Sequence, residues 1–246
     1  MVHANPYVLS GGDPSRIEAL AQYLDNPVPI WSRRKHFTVH GYYKGVPITA
    51  FNTGMGPGSV SATLPEIIEA CASPDMVFLR LGTSGALQSY LNVGDLVVTE
   101  DVEKHESTSD KIVGPGAIAV ADANVMAALA IGANSVKHGF QTVYSGRTVV
   151  TDELYWFNKQ LKEKKDHGNN LAVSMEFSAY CAERDAYNRE FGYNIQTGEI
   201  LTISDIVVPH EHRDRIDFEE RQPLIEASLL LAGLEAIVAI DKLRKK

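Results

Sequence analysis

The chain has 246 residues, 44% of them hydrophobic and 22% charged, which is enough to bury one sizeable core. Its formal net charge of −8 argues against nucleic acid or an anionic membrane as the main partner. The longest apolar run, residues 229–240, is too short to span a bilayer. Two cysteines, Cys71 and Cys181, lack disulfide or metal-site spacing and predict buried free thiols. We therefore expect one domain over residues 1–246, located in the cytoplasm.

The predicted elements alternate between strands and helices along the chain. Residues 7–9 predict a strand that leads through a glycine turn into an amphipathic helix, and residues 37–43 and 46–51 predict a hairpin around Lys44-Gly45. Further strands are predicted over residues 76–79, 96–99, 140–144, 171–173 and 200–203, and helices over 60–71, 124–133, 178–187 and 223–243. Strands joined by helices predict an α/β fold, a three-layer α/β/α sandwich with its site at the carboxyl ends of the strands.

Two glycine-rich loops follow buried strands in this prediction. Residues 80–86 read Arg-Leu-Gly-Thr-Ser-Gly-Ala, and residues 11–16 read Gly-Gly-Asp-Pro-Ser-Arg. Exposed backbone N–H groups, hydroxyls and a forked guanidinium suit the oxygens of a phosphate group. Since a glycine turn connects almost any α/β unit, one such loop by itself does not establish a ligand site.

Three further segments strengthen the pattern: residues 54–58 (Gly-Met-Gly-Pro-Gly), 173–176 (Val-Ser-Met-Glu) and 204–205 (Ser-Asp). In this order, the five segments resemble the nucleoside phosphorylase family, which contains hexameric-type purine nucleoside phosphorylases and uridine phosphorylases. The resemblance extends from about Tyr7 to Ala239 and implies a central mixed, twisted sheet. It also implies phosphate-dependent cleavage of the N-glycosidic bond of ribonucleosides, with no metal or organic cofactor. The implied partners are a nucleoside, phosphate and further copies of the chain, as a homodimer or a trimer of dimers with shared active sites.

The resemblance assigns a role to residues of each segment. Those implied to hold phosphate are Gly12, Arg16, Arg80, Thr83 and, reaching a neighbouring subunit's site, Arg34. Those implied to contact the ribose are Met55, Met175 and Glu176, and those implied to stack on the base are Tyr155 and Trp156. The family often has an acidic residue where this chain has Ser174, which leaves one ribose or phosphate contact open.

Two of these assignments also have an argument from the residues themselves. Glu176 ends an apolar strand, where a carboxylate without partners is costly, and two ribose hydroxyls would supply them. Arg34 has a second arginine, Arg33, beside it, and spacing alone does not decide between the two. Whether His3 reaches a neighbouring site is likewise left open by the sequence.

Asp205 bears on which base leaves. A departing purine builds charge at N7, and a protonated carboxyl there acts as a general acid. By the resemblance, Arg221 is the residue that supports Asp205. Uridine phosphorylases usually carry a Gln-x-Arg element in the stretch that matches residues 155–165, where this chain has no arginine. We therefore expect a purine nucleoside phosphorylase, with a uridine phosphorylase as the alternative.

Two other functions remain open from the sequence. Residues 155–159 and 191–200 look somewhat like AMP nucleosidase, which cleaves the same bond with water, and a non-catalytic nucleoside binder could share the fold. The glycine loop before Arg16 favours phosphate as nucleophile, and a binder has no need of a general acid at Asp205. Residues 209–218 are rich in charge and predict a mobile lid, whose histidines lack the spacing of a metal site.

Overall fold

The structure is a computed structural model that describes residues 3–155, 160, 167–207 and 218–245. Its centre is a ten-stranded mixed sheet. The strands are β1 (Tyr7–Gly11), β2 (Asp25–Trp31), β3 (Phe37–Tyr43), β4 (Val46–Asn52), β5 (Asp75–Ala86), β6 (Leu96–His105), β7 (Ala119–Val120), β8 (Val143–Thr151), β9 (Ala172–Ser174) and β10 (Asn194–Ile206). The helices within the described ranges are α1 (Pro14–Ala21), α2 (Pro57–Ala70), α3 (Thr108–Val113), α4 (Ala123–Val136), α5 (Phe177–Phe191) and α6 (Phe218–Arg244).

The sheet is closed on one side and open on the other. Its order is β10-β6-β8-β9-β5-β1-β4-β3-β2, with β7 on β6, and β10 also pairs with β5, so the first five strands form a ring. Strand β5 runs parallel to both β1 and β10, and Arg80 lies in register with Ser10 on β1 and with Glu199 on β10. Arg80 therefore stands where the ring meets the open sheet.

Helices cover both faces of this sheet. One core cluster joins the sheet to α1, α4 and α6, through residues such as Ile17, Leu129 and Leu234. A second cluster joins the other face to α2 and α5, through Leu64 and Phe177 among others. This arrangement confirms the predicted three-layer α/β/α fold around a mixed sheet.

The longest helix, α6, is apolar along most of its length. Residues 221–244 are long and apolar enough to cross a membrane by length and composition, although the predicted apolar run was only 229–240. About 61% of an 18-residue apolar segment within that stretch is buried inside the structure, where Leu229, Leu230 and Ile237 belong to the core. Burial in the core accounts for the apolar composition of the helix.

The hairpin of β3 and β4 is confirmed, whereas several other strands differ from the prediction. Strands β2 and β7 were not predicted, β8 begins later than residue 140, and β10 extends well beyond residues 200–203. Strands β5 and β6 also extend beyond residues 76–79 and 96–99, so residues 80–86, predicted as a glycine-rich loop, belong to β5 instead. The first half of β10 carries polar residues that find partners inside the protein, so it lacks an apolar pattern. Cys181 is buried as expected, but Cys71 at the end of α2 is only partly buried.

Gly132 allows α4 and α6 to approach closely. A Cβ at this position would lie 2.5 Å from the carbonyl oxygen of Ala232 and 3.1 Å from the backbone nitrogen of Ala236. Both atoms belong to the backbone of α6, so they cannot move aside as a side chain can. The two helices can pack at this distance only because residue 132 has no side chain.

Gly132→Ala should destabilise the protein although alanine is the better helix former. We expect overpacking to outweigh the gain in helix propensity and leave a net loss of about 2 kcal/mol, so that Tm falls by about 4–8 °C. The matched control is Gly139→Ala, where no atom of the described residues, apart from the two chain neighbours, lies within 4 Å of the added Cβ. Equal melting temperatures of Gly132→Ala and the wild type in calorimetry would contradict the tight helix contact.

Candidate functional site

A cavity of about 690 Å³ opens at the ends of several strands of the sheet. Its size is that of a small-molecule site. Its walls come from the segments that follow β1, β4 and β9, from the second halves of β5 and β10, and from the end of β8. The site therefore lies where the sequence predicted it, beyond the carboxyl ends of strands.

Most of the predicted site residues line this cavity. They are Gly12, Arg16, Met55, Arg80, Thr83, Tyr155, Met175, Glu176 and Asp205. Arg34 and Arg221 do not line it, and Trp156 lies outside the described residues, as do residues 209–217 of the predicted lid. The structure thus brings the five sequence segments together, while the role of each residue stays a prediction.

Arg16 is placed by the turn between β1 and α1. Asp13 caps α1 by accepting a hydrogen bond from the backbone N–H of Ser15 at 2.8 Å, and Pro14 begins the helix. The Arg16 Nη1 donates to the carbonyl oxygen of Leu81 at 3.1 Å, whereas its buried Nε has no acceptor among the described residues. Burial, followed by the nearby charge of Arg80, lowers the pKa of Arg16. Two guanidinium groups therefore lie close to one cavity, as an anion site requires.

Arg80 is buried, with 4% of its surface exposed, between two carboxylates. Its Nη1 donates to Oε1 of Glu199 at 2.6 Å, its Nη2 forms an ion pair with Oε2 of Glu176, and its buried Nε has no acceptor in the described part of the chain. Burial acts to lower the pKa of Arg80, but Glu176 and Glu199 outweigh it and raise that pKa. Arg80 is therefore charged and held from two sides.

The guanidinium of Arg80 occupies the space above Gly82. A Cβ at residue 82 would lie 2.0 Å from Nη1 of Arg80 and 2.6 Å from a methyl carbon of Leu201. Residues two apart on a strand point to the same face, so any side chain here would displace the guanidinium. The glycine that suggested a phosphate loop in the sequence thus makes room for the arginine.

Glu176 has protein partners, which corrects the sequence argument that ribose hydroxyls would supply them. Its Oε1 accepts from the backbone N–H of Gly56 at 3.0 Å, and its Oε2 accepts from Arg80 and from the backbone N–H of Met175 at 3.2 Å. A ligand that uses Glu176 must therefore compete with, or share, these bonds. Ser174 beside it is buried, and its Oγ has no partner among the described atoms, so a free hydroxyl also faces the site.

The other wall of the cavity carries the residues predicted to meet the base. Asp205 is exposed, and its Oδ1 accepts from the hydroxyl of Ser204 at 3.0 Å. Tyr155 and Met55 are 83% and 74% exposed, so neither is part of the core. The Arg221 guanidinium lies 4.8 Å from the centre of the Phe140 ring, and none of the described ion pairs joins it to Asp205.

Sequence reasoning missed Glu199. This residue is fully buried on β10, and its second oxygen accepts from the hydroxyl of Thr99 at 2.6 Å. A signal existed, because an acidic residue directly before the apolar run 200–203 is unusual for a buried strand. Its partner could not be found that way, since Arg80 is 119 residues earlier in the chain.

Comparison with known proteins agrees with this geometry. The family model described as Phosphorylase superfamily matches residues 6–237, nearly the whole chain. The chain belongs to the phosphorylase superfamily. The resemblance drawn from the five sequence segments is thereby confirmed.

Several relatives within the superfamily carry the names of nucleoside enzymes. A uridine phosphorylase of Thermococcus kodakarensis is 34% identical over 61% of this chain and 52% of its own length. A guanosine phosphorylase of Halorubrum lacusprofundi is 30% identical over 70% of this chain and 68% of its own length. A uridine phosphorylase of Klebsiella aerogenes is 33% identical over 78% of this chain and 71% of its own length. The chain spans about half the length of the first of these curated relatives.

The fold also agrees with a solved structure. A crystal structure of uridine phosphorylase from Vibrio fischeri, in complex with 6-hydroxy-1-naphthoic acid, superposes with a TM-score of 0.77 and covers 96% of this chain and 92% of that one. The sequences are 21% identical, so this likeness concerns the fold alone.

Arg16→Gln tests the anion site without requiring catalysis. Inorganic phosphate should raise the Tm of the wild type, and loss of one charged donor should weaken phosphate binding about ten- to hundred-fold, which shrinks that rise. Arg147→Gln is the matched control, because Arg147 is an exposed arginine paired with Asp101 away from the cavity. A phosphate-induced shift of the same size in Arg16→Gln and the wild type would count against the site.

Proposed function

We propose that this protein is a nucleoside phosphorylase, which cleaves the N-glycosidic bond of a ribonucleoside with inorganic phosphate to give a free base and ribose 1-phosphate. The observation that carries the proposal is the pair Arg16 and Arg80, whose buried Nε donors have no acceptor among the described residues and whose side chains line one cavity. Buried donors without partners are rare in proteins and indicate a ligand that supplies the acceptor. The names of the relatives from Thermococcus kodakarensis and Halorubrum lacusprofundi support the same activity.

In the proposed reaction, Arg16 and Arg80 hold the phosphate dianion below the sugar, with Gly12 and Thr83 as further contacts. A phosphate oxygen forms a bond to C1′ of the ribose as the bond from C1′ to the base breaks. Glu176 binds the ribose hydroxyls, and Met55 and Met175 pack on the sugar. Most of the rate then comes from positioning and from charges already in place, so the proposal includes no metal or organic cofactor.

We propose a purine nucleoside as the preferred substrate. Asp205 lines the cavity beside the proposed base site and would donate its proton to N7 as the base departs, while Tyr155 and Trp156 stack on the ring. The proposed support from Arg221 requires that side chain to leave Phe140. The guanosine phosphorylase among the relatives is consistent with purine preference.

Uridine phosphorolysis is the second candidate, because the relatives from Thermococcus kodakarensis and Klebsiella aerogenes are named uridine phosphorylases. The residues 155–165 that would carry a uracil-reading Gln-x-Arg element are mostly outside the described ranges, but their sequence contains no arginine. Hydrolysis, as in AMP nucleosidase, is less favoured, because water needs no pair of guanidinium groups.

We further propose that the active protein is a homodimer, or a trimer of dimers, in which Arg34 completes the neighbouring site. Arg34 lies in the turn after β2, which is separated from β1 by β4 and β3, and it does not line its own chain's cavity. The edge strand β2 is exposed along its whole length, with Val28 52% and Trp31 50% exposed, as suits a surface covered by a second copy. A monomer with full activity in sedimentation and assay at the same concentration would contradict the shared site. The cytoplasmic location remains a prediction.

A substrate panel tests the reaction class. The protein is incubated with inosine, guanosine, adenosine, uridine and thymidine, each with and without phosphate and with and without a chelator, and the released base and sugar are identified. We expect ribose 1-phosphate, formed only with phosphate and fastest from a purine nucleoside. Free ribose would indicate a hydrolase, no product a binder, and loss of activity with the chelator a metal-dependent site.

Asp205→Asn separates the purine and uridine candidates. If Asp205 protonates N7, turnover of purine nucleosides should fall by about two to four orders of magnitude, with a smaller change in the KM for phosphate. Uridine has no N7, so its turnover should depend on Asp205 only through packing. A wild type that prefers uridine, together with a nearly active Asp205→Asn variant, would overturn purine preference.

A further inference from the structure

Glu199 is a buried carboxylate to which the proposed reaction gives no role. It has 0% of its surface exposed and does not line the cavity, so it touches neither a nucleoside nor phosphate bound there. Both of its oxygens are occupied: Oε1 accepts from Arg80 and Oε2 from the hydroxyl of Thr99, each at 2.6 Å. Desolvating a carboxylate is costly, and a buried ion pair is weak support for stability, so another reason for its presence is needed.

The three edges of the Arg80 guanidinium have different surroundings. Nη1 is directed at Glu199, in the space that Gly82 leaves empty. Nη2 meets Glu176, which lines the cavity, and Nε has no acceptor among the described residues. Nε and Nη2 form the side of a guanidinium that binds two oxygens of one anion in parallel. Because Nη1 is bound to Glu199, the Nε and Nη2 side of Arg80 faces away from Glu199.

The strand register keeps Glu199 in this place. Glu199 and Arg80 are direct neighbours on the parallel strands β10 and β5, inside the ring of the sheet. The register on both sides of the pair is regular, and its irregularity comes later, between Ile203 and Asp205. Glu176 instead lies after β9, where it is held by the backbone N–H groups of Gly56 and Met175. Of the two carboxylates, only Glu176 lines the cavity, so a ligand can compete for its contact with Arg80 but cannot reach the contact with Glu199.

We infer that Glu199 is a positioning residue that holds Nη1 of Arg80, so that the Nε and Nη2 edge is presented to phosphate while Nη2 exchanges between Glu176 and the anion. The inference rests on the proposed function for its substrate. Burial raises the pKa of Glu199, and the contacts with Arg80 and Thr99 oppose that rise. The charged form of this buried carboxylate is therefore favoured by the same two partners that hold it.

The experiment compares Glu199→Ala with Glu199→Gln. The alanine variant releases Nη1, and we expect the KM for phosphate to rise about ten- to hundred-fold while the KM for the nucleoside changes less than about three-fold. Glutamine keeps an oxygen for Nη1 and directs its amide at Thr99, so the KM for phosphate should return to within about three-fold of the wild type. Asp101→Asn, a carboxylate change on β6 away from the cavity, is the control and should alter neither constant.

A purely structural Glu199 would behave differently. In that case, Glu199→Ala would lower Tm and change kcat and both KM values together, or it would leave the kinetics unchanged. Either result would overturn the inference. Should the alanine variant fail to fold, Thr99→Val loosens Glu199 from the other side and should raise the KM for phosphate without changing the KM for the nucleoside. No change in the KM for phosphate in Thr99→Val would then overturn the inference.

The same variants are also measured by the phosphate-induced rise in Tm, which needs no turnover. A wild type that cleaves no nucleoside but is stabilised by phosphate would refute the proposed function and still allow this test. In that case the rise should shrink in Glu199→Ala and return in Glu199→Gln. A wild type that phosphate does not stabilise would overturn the positioning role of Glu199 itself.

Discussion

The site depends on the guanidinium of Arg80, which is buried between the carboxylates of Glu176 and Glu199. Such a buried cluster is tolerated only with good hydrogen bonds, and backbone N–H groups and the hydroxyl of Thr99 bind the two carboxylates, while only the Nε of Arg80 has no acceptor among the described residues. Removing either carboxylate would leave Arg80 buried with a single acidic partner. Strands β5, β9 and β10 must therefore keep their positions, and the closure of the ring through the pairing of β5 and β10 provides that constraint.

Under the proposed function, this arrangement lets an acidic protein hold an anion. The net charge of −8 gives no general attraction for phosphate, so binding has to come from a local arrangement of donors. Arg16 and Arg80 supply two positive charges close together, and burial strengthens their effect. When the site holds no anion, the two carboxylates around Arg80 offset the repulsion between the two arginines. The arginines are then already in position when an anion binds.

The superfamily fold accommodates relatives named for uridine and for guanosine. The start of α1 with Arg16 and the strand β5 with Arg80 form one side of the cavity, and the groups that would meet a base, Tyr155 and Asp205, form another. Fold and anion site can then stay constant while the choice of base varies with a few side chains on exposed segments. The exposure of Tyr155 and Met55 agrees with a wall that further residues or a second copy would complete.

The sequence by itself determined the alternation of strands and helices, the glycine turn before α1 and most of the segments that line the cavity, because local periodicity and turn residues carry that information. It predicted residues 80–86 as a second glycine loop, whereas they are part of strand β5. It did not reveal β2, whose prolines disguise a strand that only an edge position tolerates. It also missed the polar first half of β10 and the role of Gly82. The partners of Arg80 were missed as well, because Glu176 and Glu199 lie 96 and 119 positions away from it in the chain. Only the tertiary structure decided them, because a buried charge is acceptable only beside the partner that folding brings to it.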